Sequence, residues 1–321
     1  VTPRQGVTML RGKIDDLHSL PKTRDSLAYA YFERARIDRH EASISVWTAE
    51  GELPIPAASL AVLMLGPGTT ITHSAIAALA ENNCLVVWCG EENVRFYAAG
   101  MGGTHSAARL LHQARLVSDP ELRMGVVRRM YAIRFAEIPP AHYTIEQLRG
   151  MEGARVRDTY ARVSRDTGLE WHGRTYDRSD WSAGDPANRA LSAANSCLYG
   201  LCHAAVLAAG YSPAMGFIHT GHQRSFVLDL ADLYKCELTI PLAFQVAADP
   251  PADMGLERAV RTKLRDVFRE TRLIERLVPD IEQVLGPLDA SEALQAEAAD
   301  ADPSEPLPLW TPEPTDNSAG A

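Results

Sequence analysis

The stretch FIHTGHQRSFVLDLAD, Phe217 to Asp232, sets two histidines in a glycine-containing turn ahead of two carboxylates three residues apart. Phe226, Leu230 and Leu233 have the spacing of a helix's apolar side, so Asp229 and Asp232 share a face and can point at one place. His219 precedes them by 10 and 13 residues, in a turn that could carry its imidazole back over the helix. Two carboxylates and a neutral imidazole are a hard donor set suited to octahedral Mg2+ or Mn2+. Two aspartates at i and i+3 are also a common solvated face, and a histidine beside glycine is a common turn residue; so short a pattern does not separate the readings. His222 reads as a further ligand or, better, as a surface or phosphate-facing group. A supplementary carboxylate is available from Glu152 in LRGMEGARVRDTY, which spacing alone cannot bring near.

Arginines supply the second signal. If LERAVRTKLRDVFRETRLIERLV is one helix, Arg261, Arg265, Arg269, Arg272 and Arg276 fall within an arc of roughly 80°. One reading is a core helix with a solvated basic face, helped by pairs such as Glu257 with Arg261. The other is a ridge that tracks phosphates, since five stacked guanidinium groups lack matching acids. A second concentration, Arg123, Arg128, Arg129, Arg134, Arg149, Arg155, Arg157 and Arg162, brackets Glu152. An acid among arginines beside a metal is what a phosphodiester site requires. There is no P-loop, no GxGxxG after a strand and no GxSxG elbow. Ser225, beside Arg224, has no evident base, which disfavours a serine hydrolase.

The elements that must position these residues change character along the chain. From Ala28 to Ala98 the pattern is short β-type runs, AYAYFERARI, ASISVWT, ELPIP, SLAVLML, CLVVWC and VRFYAA. AEGE reads as a hairpin turn and Gly66 to Gly68 as a tight loop. One short helix interrupts, with Thr72 as its N-cap. After a Gly-rich hinge at Met101 to Gly103 the spacing turns helical, in stretches such as ARLLHQARLVSDPELRMGVVRRMYAIRFAE and NRALSAANSCLYGLCHAAVLAAG. The expected fold is α+β, a mainly antiparallel β-sandwich over 26–100 and a larger all-α domain over 101–285, with an N-terminal segment 1–25 and a tail 286–321.

Charge is unevenly spread. The net charge is −9, but eight of the 41 acidic residues and none of the 32 Lys and Arg fall in 286–321, so the body is close to neutral. The tail is rich in Pro, Ala and acid, and disorder is its default reading. Its LPLWTP is an apolar island that either docks on a partner or is inert. The five cysteines sit in apolar contexts without a CxxC pair, which points to buried reduced thiols. No apolar run approaches the ~20 residues of a membrane span, and the start lacks a signal peptide's apolar core, so a cytoplasmic protein without a membrane partner is expected.

Taken in order, LGPGTTITHSAI, VWCGEENVRFYA, LRGMEGARVRDTYA, SAANSCLYGLCHAAVLAAGYSPAMGFIHTG and SFVLDLADLYK resemble the CRISPR-associated integrase subunit Cas1 of the type I-E subtype, from about Ser26 to Leu285. The resemblance implies a β-sandwich followed by a helical domain. It implies a homodimer, two of which flank a dimer of the small Cas2 subunit in a hetero-hexamer. It implies Glu152, His219 and Asp232 as ligands of Mg2+ or Mn2+, with Asp229 as the supporting acid. The implied activity is metal-dependent joining of the 3'-hydroxyl ends of captured double-stranded DNA to the CRISPR repeat, with cleavage at the same site. Arg95, His222, Arg224 and the five arginines from Arg261 to Arg276 become candidate DNA contacts. The family has a lysine where this chain has His222, which makes the charge at that contact pH-dependent. A scaffold with a decayed metal site and a stand-alone repair nuclease are the competing readings.

Overall fold

A computed structural model of the chain describes residues 29–41, 43–60, 62–82, 84–90, 96–100, 107–174, 185–252 and 254–289. Arg95, the segment 1–25, the hinge at Met101 to Gly103 and the LPLWTP stretch lie outside the described residues.

Among the described residues eight strands come first: β1 (Tyr29–Phe32), β2 (Arg36–His40), β3 (Ser43–Thr48), β4 (Gly51–Pro56), β5 (Val62–Leu65), β6 (Thr70–Ile71), β7 (Leu85–Cys89) and β8 (Phe96–Ala99). They form two four-stranded sheets, ordered β1-β5-β7-β8 and β4-β3-β2-β6. The expected run AYAYFERARI divides at Glu33 to Ala35, sending β1 and β2 to different sheets. Both sheets are mixed where a mainly antiparallel arrangement was expected: β5 lies parallel to β1 and β7, and β6 parallel to β2. The reason is connectivity: strands of the other sheet lie between β1 and β5 and between β2 and β6, and helix α1 (His73–Glu81) lies between β6 and β7, so parallel neighbours are joined by crossovers instead of hairpins. Thr72 caps that helix, its Oγ1 accepting from Ala75 N at 3.3 Å.

Residues Ile37, Ile44, Val46, Leu63, Leu65 and Val86 share one core between the sheets, closed by Ala75 and Leu79 of α1. All of β5 is buried because its faces serve two cores. Leu63 and Leu65 point into the sandwich, while Val62 and Met64, with Leu85, Val87 and Cys89, pack on Ala204 and Ala208 of a helix from the second half.

That helix is α5 (Pro186–Ala208), around which α2 (Ala108–Ser118), α3 (Pro120–Phe135), α4 (Ile145–Thr167), α6 (Ser225–Ala231), α7 (Ile240–Ala248), α8 (Leu256–Glu270) and α9 (Leu273–Leu285) assemble. Leu198, Leu201, Ala205 and Val206 face one cluster, and Ala187, Ala190, Leu191 and Ala194 another. The small residues of SAANSCLYGLCHAA let neighbouring helices approach from all sides. With a mean hydropathy of 1.3 over its most apolar stretch, α5 has the length and composition of a membrane span, although polar residues interrupt its apolar runs. Of that stretch, 78% is buried against the rest of the chain. All five cysteines are buried.

Two expected continuous helical stretches are broken. Pro120 disfavours helix at Asp119, whose carboxylate instead caps α3 by accepting from Glu121 N at 2.8 Å and Leu122 N at 3.0 Å. Arg272, at φ +51°, separates α8 from α9.

Candidate metal centre

The segment Phe217 to His219 is held on both edges. Asp229, fully buried on α6, accepts from the backbone of Phe217 (2.6 Å), Ile218 (3.0 Å) and His219 (2.9 Å), and from His219 Nδ1 at 2.7 Å. On the other edge, Arg123 of α3 donates from Nε and Nη2 to Phe217 O at 2.9 and 2.7 Å. Arg149 of α4 donates to Ile218 O at 2.6 Å. Buried Gln113 of α2 fixes the approach, accepting from Ser212 N at 2.7 Å and donating to Met215 O at 2.9 Å. Gly216 lets the turn close: a Cβ there would sit 2.3 Å from His219 O and 2.6 Å from Ser225 Cβ.

Because a carboxylate only accepts, the His219 Nδ1 contact with Asp229 places a proton on Nδ1, so that in the neutral ring Nε2 carries the lone pair. His219 is 41% exposed, and Nε2 lies 3.9 Å from Asp232 Oδ2. Asp232 sits at the C-terminal end of α6. Burial alone would raise its carboxyl, but Lys235 and Arg134 outweigh burial and hold it below the ordinary carboxylate range. Lys235 Nζ lies 2.5 Å from Asp232 Oδ1, and Arg134 Nη2 3.7 Å from Oδ2.

Glu152 stands on α4. It lies one turn beyond Arg149, so the contact that seats Arg149 on Ile218 O turns the Glu152 face toward the same segment. A capping box at Thr144 and Gln147 fixes the start of the helix. Glu152 and Asp232 both act on buried Tyr131: burial raises its hydroxyl, the two carboxylates add to the rise, and Arg134 and Arg149 oppose it. Both act likewise on the Cys236 thiol, which burial raises first. His219, Asp229 and Asp232 thus adjoin one another, and Glu152 shares the neighbours Tyr131 and Cys236 with Asp232.

The donor types suit a hard divalent ion, and the locked Nδ1 is the arrangement that orients a ligating histidine. Yet no three His, Cys, Asp or Glu side chains form a ready-made ligand cluster among the described residues. Cations of the chain already occupy the acids, Lys235 on Asp232 and Arg155 on Glu152, the latter at 3.3 and 3.4 Å from the two oxygens.

The other sequence candidates separate. His222 and Arg224 are exposed near His219 in sequence, and His222 Nδ1 accepts from Arg224 N at 3.1 Å. Ser225 is fully buried, donating to His222 O at 2.7 Å, a turn-forming role. The arginine ridge is not one row. Arg261, Arg265 and Arg269 lie on α8, Arg272 at the break and Arg276 on α9. Nor does it lack acids. Asp266 lies between Arg265 (3.3 Å) and Arg269 (3.5 Å), Arg272 pairs with Glu275, and Arg276 meets Glu237 at 3.4 Å. Around Glu152, too, much of the basic cluster is scaffolding. Besides Arg123 and Arg149, Arg129 donates to Val284 O and Leu285 O, Arg128 to Tyr143 O and Arg134 to Asp229 O. Lys235, Gln113 and Gly216 escaped the sequence reading. Lys235 had a usable signal, its i+3 position after Asp232, whereas the other two act through the fold.

Fold and site together define a two-part α+β protein whose helical half carries an acid-and-histidine centre. The sequence model of the family described as CRISPR associated protein Cas1 matches residues 29–138 and 134–249. A CRISPR-associated endonuclease Cas1 of Thermus thermophilus is 50% identical over 295 residues, 92% of this chain and 90% of the relative. The Cas1 endonuclease of Escherichia coli is 48% identical over 231 residues, 72% and 75% of the two chains. Among solved structures, a TtCas1-DNA complex superposes with a TM-score of 0.73 at 51% identity, covering 84% of this chain and all of that one. A casposase bound to integration product shares the fold at 11% identity and a TM-score of 0.57, covering 85% and 99%. The chain belongs to the Cas1 family.

Proposed function

We propose that this protein is a divalent-metal-dependent DNA integrase and endonuclease of CRISPR adaptation, of the type I-E subtype. It would join the 3'-hydroxyl ends of captured double-stranded DNA to the repeat by transesterification and add new spacers. The observation that carries the reading is the His219 arrangement: Nδ1 locked by buried Asp229, and Nε2 left open beside Asp232. Family membership supports the nuclease class, and the relative crystallised as a DNA complex supports DNA as the substrate.

Glu152, His219 and Asp232 would hold Mg2+ or Mn2+, which when bound polarises a phosphodiester and stabilises charge on the attacking or leaving oxygen. The chain's own residues do the rest. Asp229 fixes the imidazole tautomer and orientation, while Arg123 and Arg149 hold the backbone that presents it. His222 and Arg224, exposed close to His219 in sequence, would meet phosphates of the incoming strand. Water in place of a 3'-hydroxyl gives cleavage at the same centre. The working assembly would be two homodimers flanking a Cas2 dimer, in the cytoplasm.

The test is an integration assay with the Cas2 partner, supercoiled repeat DNA, a short duplex and Mg2+ or Mn2+. Wild type should join strands, and His219→Ala and Asp232→Ala should not. Joining retained by either variant would overturn the metal-ligand assignment. Cleavage of branched DNA with no Cas2-dependent joining would mark a stand-alone nuclease instead.

A further inference from the structure

Each candidate ligand acid carries a cation three residues further along the chain. Lys235 Nζ lies 2.5 Å from Asp232 Oδ1, and Arg155 Nη1 lies 3.3 and 3.4 Å from the two Glu152 oxygens. Neither is a loose surface pair. The Lys235 and Asp232 side chains are 21% and 19% exposed, and those of Arg155 and Glu152 27% and 15%. Lys235 also stands 4.8 Å from the Tyr199 ring centroid, over its face, which steadies an ammonium removed from water. It occupies the first position of a π-helical turn, Lys235–Thr239, a local widening of the helix that follows Asp232. Arg134, 1% exposed, adds a third positive charge 3.7 Å from Asp232 Oδ2.

A divalent ion bound by these acids would meet positive charge at the oxygens it needs. We propose that Lys235 and Arg155 are built-in counter-cations: they clasp Asp232 and Glu152 in the metal-free protein and are displaced from them when a divalent ion enters. The inference rests on the metal reading above and adds what that reading lacks, the state of the ligands before loading. Its consequence is weak loading of the free protein. Phosphates of bound DNA supply the negative charge that offsets the displaced cations, so metal affinity and DNA occupancy rise together.

The test is Mn2+ binding to the full chain, read by EPR of the free ion and by calorimetry, without and with a short duplex. Without DNA, Lys235→Gln should bind Mn2+ about tenfold more tightly than wild type or better, as removal of a nearby unit charge requires. Arg155→Gln should shift affinity the same way. Lys235→Arg, which keeps the charge, should stay close to wild type, and the gain on adding duplex should shrink in Lys235→Gln. Lys235→Met, whose stem can still pack on Tyr199, replaces Lys235→Gln should the latter lose its cooperative melt. Unchanged or weaker Mn2+ binding in the charge-removing variants, with wild-type binding present and lost in His219→Ala, would overturn the counter-cation role and leave the metal site standing. Absence of Mn2+ binding in wild type and all variants, with and without duplex, would overturn both.

Discussion

His219 and Asp229 form a unit in which one carboxylate sets both the ring and the backbone that carries it. Asp229 Oδ1 meets Nδ1 at 2.7 Å and His219 N at 2.9 Å, while Oδ2 takes the N–H groups of Phe217 and Ile218. Asp229→Ala leaves these backbone donors without their acceptor in a buried place. Unfolding free energy should fall by about 3–5 kcal/mol in urea titrations, the range for breaking a buried charged contact. Strand joining should be lost even where the variant is still folded. A stability change within ~0.5 kcal/mol would show that Asp229 does not hold the segment.

Glycines on the two sides of the centre should respond oppositely. A Cβ at Gly216 would overlap His219 O and Ser225, with main-chain atoms among the clashes, so Gly216→Ala should cost about 2–4 kcal/mol and displace the His219 segment. Gly150, on α4 between Arg149 and Glu152, has open space where a Cβ would go. Gly150→Ala should stabilise the protein by about 0.5–1 kcal/mol through helix propensity. Thermal melts of the two variants check both signs.

Much of this layout was legible in the sequence, for local reasons. The Thr72 cap, the turn at Gly66 to Gly68 and the switch from short strands to helical spacing each follow from a few neighbouring residues. Asp229 was legible as a partner of His219 only through family resemblance, because its burial against three backbone donors comes from the folded turn. The parallel pairing of β5 with β1 and β7 was not legible, since alternation specifies a strand's faces and not its neighbours' direction. The arginine ridge failed twice: the periodicity continues through Arg272, but the backbone turns there at φ +51°, and the acids it seemed to lack are Asp266, Glu275 and Glu237. The arginines around Glu152 were visible as charge, while their carbonyl partners lie as far as 156 residues away in sequence.

Acid should weaken the fold in a defined window. His203 on α5 is 6% exposed, and burial, aided by the Arg224 charge, pushes its imidazole from 6.5 down to about 4. The folded value is the lower one, so the unfolded chain takes up the proton first as pH falls. Stability from this group is complete above about 6.5 and declines toward pH 4, a loss of about 3 kcal/mol. His203→Gln should flatten urea-measured stability between pH 6.5 and 4. The Asp232 contribution, from a carboxyl held low, is lost only at still lower pH, below its unfolded value of 3.8.

Arg265 and Arg269 separate phosphate contact from structural work. Both side chains are more than 60% exposed and share Asp266, an arrangement that contributes little to folding. The double change Arg265→Gln with Arg269→Gln should therefore move stability by less than ~0.5 kcal/mol. If both guanidinium groups meet DNA phosphates, affinity falls for every sequence, and the slope of log affinity against log salt should become shallower by about 2. Arg276 is built into the protein instead, its guanidinium 5.4 Å from the Tyr234 ring centroid and paired with Glu237. Arg276→Gln should cost about 1 kcal/mol of stability and leave the salt slope unchanged. Filter-binding titrations at several salt concentrations, run on both variants, decide it. An unchanged slope in the double variant would remove α8 from the DNA path, and a shallower slope in Arg276→Gln would put α9 on it.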